Sequence, residues 1–260
     1  VAEAMQGMDG CFHLAAGASV QRSNDAWLQS HQTNLSGTIN VFDAARKNST
    51  PVVYASSAAV YGDNAEIPLK ESSLVRPLTA YGADKLGSEL HARIAGLVHG
   101  VPTKGLRFFN VFGPEQDPAS PYSGVISIFV DRLLKGEPLT IYGDGDQRRD
   151  FVYVADVVAA LRGAMAHIDC NGSALNVCTG ESVTIQQLAT IIMSILDVRL
   201  PIRYRPSRKG DIRMSIGDPF KAQTELGFKT RRSLVEGLRE LIAYEQEKII
   251  LQQPLKAVAY

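Results

Sequence analysis

Short apolar runs alternate with longer stretches of helical spacing through the first part of the chain, and this alternation restricts the fold more than any other feature. "CFHLAA" (11–16) reads as a short buried strand entering a loop, and Asp25 to Lys47 has helical spacing. In that helix Trp27, Leu28, Leu35, Ile39, Val41, Phe42 and Ala45 are the expected buried positions. "PVVYASS" (51–57) is β-branched and ends in small polar residues, Thr79 to His99 is helical, and "TKGLRFFNVFGP" (103–114) holds a strand closed by Gly-Pro. Strands and helices in this order predict an α/β chain, a parallel sheet wound on both faces by helices. Ligands of such sheets bind beyond the carboxyl ends of the strands. Here those ends read "HLAAGAS", "ASSAAVYG" and "RFFNVFG".

The texture changes after Gly113. "PEQDPASPYSG" is a loop by composition, followed by a helix near 124–135, a strand at "LTIYG" and the turn-prone "GDGDQRR". "DFVYVADVVAALRGAM" reads as strand into helix, and "ALNVCTG" as another strand. Thr184 is the expected N-cap of a helix to Leu196, "IRYRP" a short strand, and Ser233 to Gln252 a terminal helix. We therefore expect one domain over 1–110 and a smaller α+β lobe over 111–260, interleaved with late elements of the first around 148–180.

Composition removes several classes of function. With formal net charge zero, nothing global points to nucleic acid or a membrane surface. Three cysteines, Cys11, Cys170 and Cys178, have no metal spacing, and an odd count argues against a disulfide framework. The histidines His31, His91, His99 and His167 show no metal spacing either. Cys11, Cys178 and Trp27 read as core residues. No apolar run is long enough for a bilayer, and the start of the chain lacks the regions of a signal peptide, so a cytoplasmic protein is expected.

"YGADK" (81–85) places a phenol and an ammonium one helical turn apart. By itself this is also what a surface helix carries. Its chemistry is specific, however. A free tyrosine, with a pKa of about 10, is a poor base at neutral pH, and lowering it by about three units takes roughly 4 kcal/mol. A unit charge at ~4 Å supplies about 4 kcal/mol at an effective dielectric near 20. Lys85 is thus expected to contribute much of that shift. Ser57, at the end of the "VVYASS" strand, is the expected hydroxyl donor, and a strand-end turn serine is its bland alternative.

Taken together, "SSAAVYG", "YGADK" and "RFFNVFGP" resemble the extended short-chain dehydrogenase/reductases of the NAD-dependent epimerase/dehydratase family. "HLAA" (13–16), "NLSGTIN" (34–40), "RRDFVYVADV" (148–157) and "RKGDIR" (208–213) extend the resemblance over almost the whole chain. It implies a Rossmann-like sheet, NAD as cofactor and a nucleotide-sugar substrate. It departs at one point, because no GxGxxG or GxxGxxG follows a strand. Those first elements are expected to be absent from the chain beginning at Val1.

The resemblance also implies roles. Tyr81 is the base and acid, Lys85 its electrostatic partner and a ribose ligand, and Ser57 the donor to the reacting oxygen. Leu14, Ala15, Ala16 and Asn34 line the cofactor, with Phe108 near the nicotinamide. Ser19, Asn110, Val125, Arg149, Arg208 and Asp211 bind the substrate, the arginines suiting phosphate.

Dehydratases of this family resemble one another in carrying Asp-Glu or Ser-Glu between the serine or threonine and "VYG", where this chain has Ala58 and Ala59. Dehydration needs an additional acid and base there. The implied activity is a UDP-hexose 4-epimerase working through a 4-keto sugar. A small residue at Ser215 implies room for an N-acetyl group at C2. A UDP-glucuronate 4-epimerase, a 4-keto reductase and a non-catalytic binder are the alternatives. Helices 25–47 and 79–99 resemble those that pair in family homodimers.

Overall fold

A computed structural model describes residues 1–120, 124–207 and 210–252. Arg208 lies outside the described residues.

After a short 3-10 turn the chain forms β1 (Cys11–His13) and then a run of helical segments, α1 (Val20–Asp25), α2 (Trp27–His31) and α3 (Gly37–Ala45). Next come β2 (Val52–Ser57), α4 (Ala80–His99) and β3 (Thr103–Phe108). Thr79 caps α4 by accepting from the Gly82 N–H at 3.1 Å, and Gly100 ends it in the left-handed region at φ 67°. The second half holds β4 (Asn110–Phe112), α5 (Val125–Leu134), β5 (Leu139–Tyr142), β6 (Arg148–Arg149) and β7 (Phe151–Tyr153). There follow α6 (Val154–Ala166), β8 (Ala174–Val177), β9 (Val183–Thr184), α7 (Ile185–Leu196) and β10 (Ile202–Arg205). β11 (Met214–Ser215), α8 (Phe220–Leu226) and α9 (Leu234–Gln252) complete it. Thr184 caps α7 in a reciprocal capping box with Gln187.

Four strands form a parallel sheet in the order β1-β2-β3-β8. Alternate residues of these strands serve opposite faces. Val52 and Tyr54 pack with Val41, Phe42 and Ala45 of α3 and with Ala92 and Ala95 of α4. Val53, Leu106, Leu175 and Val177 pack with α6 and α8 through Val157, Leu161, Ala164, Ala222 and Leu226. Helices therefore cover both faces, and the strand ends are left to make a site. A separate core joins α5, α7 and α9 to β5, with Phe112, Phe151 and Tyr153 at its edge. The β10-β5 pair and the three-stranded β11-β6-β9 sheet belong to this second half.

The first helical run departs from its expected form. It begins at Val20 rather than Asp25, and Trp27 and Leu28 are 69% and 71% exposed instead of core residues. Two interruptions explain the change. Ala26 leaves helical geometry at φ −116° and ψ 55°, and a π-helical turn occupies Gln32–Ser36. An added residue turns the following side chains by about 100°, so the apolar stripe changes face. Val41, Phe42 and Ala45 are buried as expected.

One carboxylate joins the two halves. Asp150, between β6 and β7 and fully buried, accepts from Thr179 N at 2.9 Å, Thr179 Oγ1 at 2.7 Å, Gly180 N at 2.9 Å and Gly217 N at 3.4 Å. It ties the turn after β8 to the segment after β11. Asp150→Ala leaves several buried donors unpaired, each costing about 1–3 kcal/mol. Urea unfolding is expected to show a loss of about 3 kcal/mol or more, and a loss below about 1 kcal/mol would remove Asp150 as the tie.

Candidate active site

Parallel strands spread their chemistry at their carboxyl ends, and here β2 sits in the middle of it. Its pairing with β1 ends at His13–Tyr54, while its pairing with β3 continues to Ser57–Phe108. Ser57 and Phe108 are thus neighbours on adjacent strands. Across from them, α4 presents Tyr81 and Lys85 on one face. The Ser57 hydroxyl accepts from the Ala59 N–H at 3.2 Å and hydrogen-bonds the Tyr81 phenol. Lys85 Nζ donates to the Ala55 carbonyl at 2.8 Å and lies 5.7 Å from the centre of the Tyr81 ring. The structure brings Ser57, Tyr81 and Lys85 into one cluster.

The electrostatics differ from the simple expectation that the ammonium pulls the phenol down. Burial raises Tyr81 above the usual tyrosine range, and the Ser57 hydrogen bond opposes this only in part. Burial also lowers Lys85, to about 8, against an opposing pull from Asp84. Both groups are desolvated, and burial is the largest cause of each shift.

The loop after β1 is held from below. Asn34, 1% exposed within the π-helical turn, accepts from Gly17 N at 2.8 Å and donates to Gly17 O at 3.2 Å and to Ser30 Oγ at 3.1 Å. Its amide is therefore spent on the loop backbone. Asn34 shapes the Leu14–Ala16 surface, which leaves Leu14 48% exposed. Thr38 donates its proton to Asn34 O at 2.6 Å, so the His13 Nε2 at 2.9 Å from Thr38 Oγ1 carries the hydrogen. His13 is structural.

A second group forms on the other half. β11 pairs with β6 at Ser215–Arg149, and Arg149 donates to Asp211 at 2.5 Å. Arg149, Asp211 and Ser215 are therefore together, with the Arg149 guanidinium lowered by burial and Asp211 partly compensating. Ser19 caps α1 by accepting from Arg22 N, Asn110 opens β4 with its N–H donating to Asp150 O, and Val125 opens α5 against the second core.

The residues present suit part of a dinucleotide. Lys85 has donors left beyond Ala55 for ribose hydroxyls, while Leu14, Ala15 and Phe108 supply apolar surface at the strand ends. The chain shows no glycine-rich turn to cradle a pyrophosphate. Sequence reasoning missed two features here: the His31 Nδ1–Asp84 Oδ1 pair at 2.9 Å, and the buried polar group around Glu89 and Ser56.

Known proteins agree with this geometry. The sequence profile of the family described as NAD dependent epimerase/dehydratase matches residues 1–178. The UDP-glucose 4-epimerase of Mycolicibacterium smegmatis is 34% identical over 239 residues, 91% of this chain and 76% of the relative. The solved UDP-N-acetylglucosamine 4-epimerase of Methanobrevibacter ruminantium M1, in complex with UDP-N-acetylmuramic acid, superposes with a TM-score of 0.90 at 37% identity, over 95% of this chain and 79% of that one. The UDP-glucose 4-epimerase of Thermotoga maritima, with UDP-glucose, gives a TM-score of 0.89 at 34% identity, over 93% and 78%.

Carbon NMR of labelled lysine is expected to show one side chain titrating near pH 8, absent in Lys85→Met. Because the folded value lies below the unfolded one, this group makes stability rise with pH from about 8 towards the ordinary lysine value of 10.5. A spectrum in which every lysine keeps its ordinary value would contradict the burial of this cation.

Proposed function

This chain belongs to the NAD-dependent epimerase/dehydratase family, and we propose that it is a UDP-hexose 4-epimerase with NAD as its cofactor. The reading is carried by one observation: the site pairs a single proton-transferring phenol, Tyr81, with Ser57, and the turn beside them supplies no second acid or base. Ala58 and Ala59 occupy that turn, directly after Ser57, and their methyl groups supply neither the additional acid nor the base that dehydration needs.

Ser57 holds the sugar O4, and Tyr81 takes its proton as the carbon is oxidised. NAD, when bound, would supply the acceptor and donor for the C4 hydride, and its positive charge would favour the Tyr81 phenolate. Lys85 supports the phenolate and binds ribose. The 4-keto sugar turns over between the two transfers, and Tyr81 then gives the proton back to the opposite face. Arg149, with Arg208 implied by the motif, holds the diphosphate, and Asp211 accepts from a ribose hydroxyl of the nucleotide. Ser215, paired with Arg149 across β11 and β6, is a small residue, which supports the reading that UDP-GlcNAc and UDP-GalNAc are substrates together with UDP-glucose and UDP-galactose.

Trp27 and Leu28 of α2, with Leu90, Ile94, Leu97 and Val98 of α4, leave an apolar helical surface exposed. We infer that a second copy covers these residues in a homodimer, since exposed apolar patches mark interaction surfaces. Sedimentation should give a dimer that Leu97→Glu dissociates, and a wild-type monomer contradicts it.

Proton NMR of the sugar anomeric signals tests the activity. The full-length protein is expected to convert UDP-glucose and UDP-GlcNAc to their galacto epimers. Tyr81→Phe should lower the rate by about 10²–10⁴-fold while nucleotide binding persists, and Ser215→Tyr should remove the N-acetyl substrates selectively. Full activity of Tyr81→Phe, or conversion of UDP-glucuronate alone, overturns the assignment.

A further inference from the structure

The helix carrying Tyr81 and Lys85 has a third attachment to β2. Along three successive residues of that strand, Ser57 contacts Tyr81, the Ala55 carbonyl accepts from Lys85 at 2.8 Å, and Ser56 Oγ donates to Glu89 Oε1 at 2.5 Å. Tyr81, Lys85 and Glu89 follow one another at intervals of four residues, which aligns them along α4 over about 12 Å. Glu89 is 8% exposed and is gripped from the next strand. Arg107 of β3 donates to it twice, Nε to Oε1 at 2.9 Å and a terminal nitrogen to Oε2 at 2.7 Å. A fork of this kind fixes direction as well as distance.

Arg107 is in turn held on its far side. It donates to Tyr61 OH at 2.7 Å, which donates to Asn176 Oδ1 at 2.7 Å on β8. Asn176 donates from its side chain to Leu69 O at 2.9 Å and from its backbone to Glu71 at 2.8 Å. The network therefore spans β2, β3, β8 and α4 without touching the cleft.

We propose that Glu89 is a positioning residue, which with Ser56 and Arg107 fixes the register of α4 on β2 and thereby the placement of the Tyr81 phenol against Ser57. This inference rests on the reading of Tyr81 as the proton-transferring group. Thr103 Oγ1 also donates to Ala92 O of α4 at 2.9 Å, but Glu89 is the attachment that continues the Tyr81 and Lys85 row along β2 and sets the height of that row on the strand. Displacement of a reacting group by about 1 Å costs up to about a hundredfold in rate.

Ser56→Ala removes only the strand contact and leaves the Arg107–Glu89 pair intact. In the holoenzyme, kcat is expected to fall about tenfold to a hundredfold with KM for the UDP-sugar unchanged, and Ser56→Thr to restore it. A second readout needs no turnover. The tyrosinate absorbance titration of Tyr81, isolated by subtracting the matching Tyr81→Phe variant, should move to higher pH in Ser56→Ala and return in Ser56→Thr. A folded Ser56→Ala with unchanged kcat and an unchanged titration overturns the proposal. Should that variant not fold, Glu89→Met/Arg107→Met removes both charges together and carries the test, with an unchanged Tyr81 titration again overturning it. A wild-type protein that epimerises no UDP-sugar would defeat the functional reading instead, while the titration still decides the positioning role.

Discussion

A guanidinium in the middle of a parallel sheet has to be answered by its surroundings, and the polar groups around it are arranged to that demand. Arg107 is 7% exposed on β3, paired with Ser56 of β2 on one side and Asn176 of β8 on the other. Burial alone would lower its affinity for a proton, but its bonds to Glu89 more than offset this and the net shift is upward. Removing one partner of such a pair costs about 3–5 kcal/mol, because the other charge is left without compensation. Glu89 must therefore stay over β3, which fixes α4, and α4 carries the two residues that face the end of β2. The same guanidinium brings Tyr61 and Asn176 into line and pins the segment that follows the Ser57 turn. Sheet, helix and site share one polar skeleton.

Against that skeleton, the active cluster is a region of strong desolvation. Lys85 is 3% exposed and Tyr81 is partly buried behind it. Water would screen the ammonium and weaken its hold on a phenolate. Burial strengthens that hold but also discourages both charged forms, which is why Lys85 falls to about 8 while Tyr81 rises. Burial thus favours the neutral phenol in the protein by itself.

Much of this was legible in the sequence. The strand and helix order came from periodicity, and β2, α4 and β3 lie within a residue or so of their expected bounds. Ser57, Tyr81 and Lys85 form a cluster, and Arg149, Asp211 and Ser215 form another. What escaped had local causes. Trp27 and Leu28 obey helical spacing, but a break at Ala26 and a π-helical turn move the apolar stripe, and neither has a strong signature. The bonds of Asn34 to the backbone of Gly17 also had no sequence signal, because they join residues seventeen positions apart. Glu89 and Arg107 did leave a trace. A glutamate four residues beyond Lys85 stands on a face otherwise made of Ser88, Ala92 and Ala95, and an arginine interrupts "GLRFF". Charges in apolar runs imply partners, but only the fold shows which.

In the proposed epimerisation one carbon of the sugar loses a hydride and regains the same one, with Tyr81 moving only the hydroxyl proton. Deuterium at C4 reports on this without reference to rate. UDP-glucose labelled at C4 should be converted to UDP-galactose that keeps its deuterium at C4 in ordinary water. Loss of the label to solvent would mean that C4 is deprotonated rather than oxidised, and Tyr81 and Ser57 would not have the roles assigned to them.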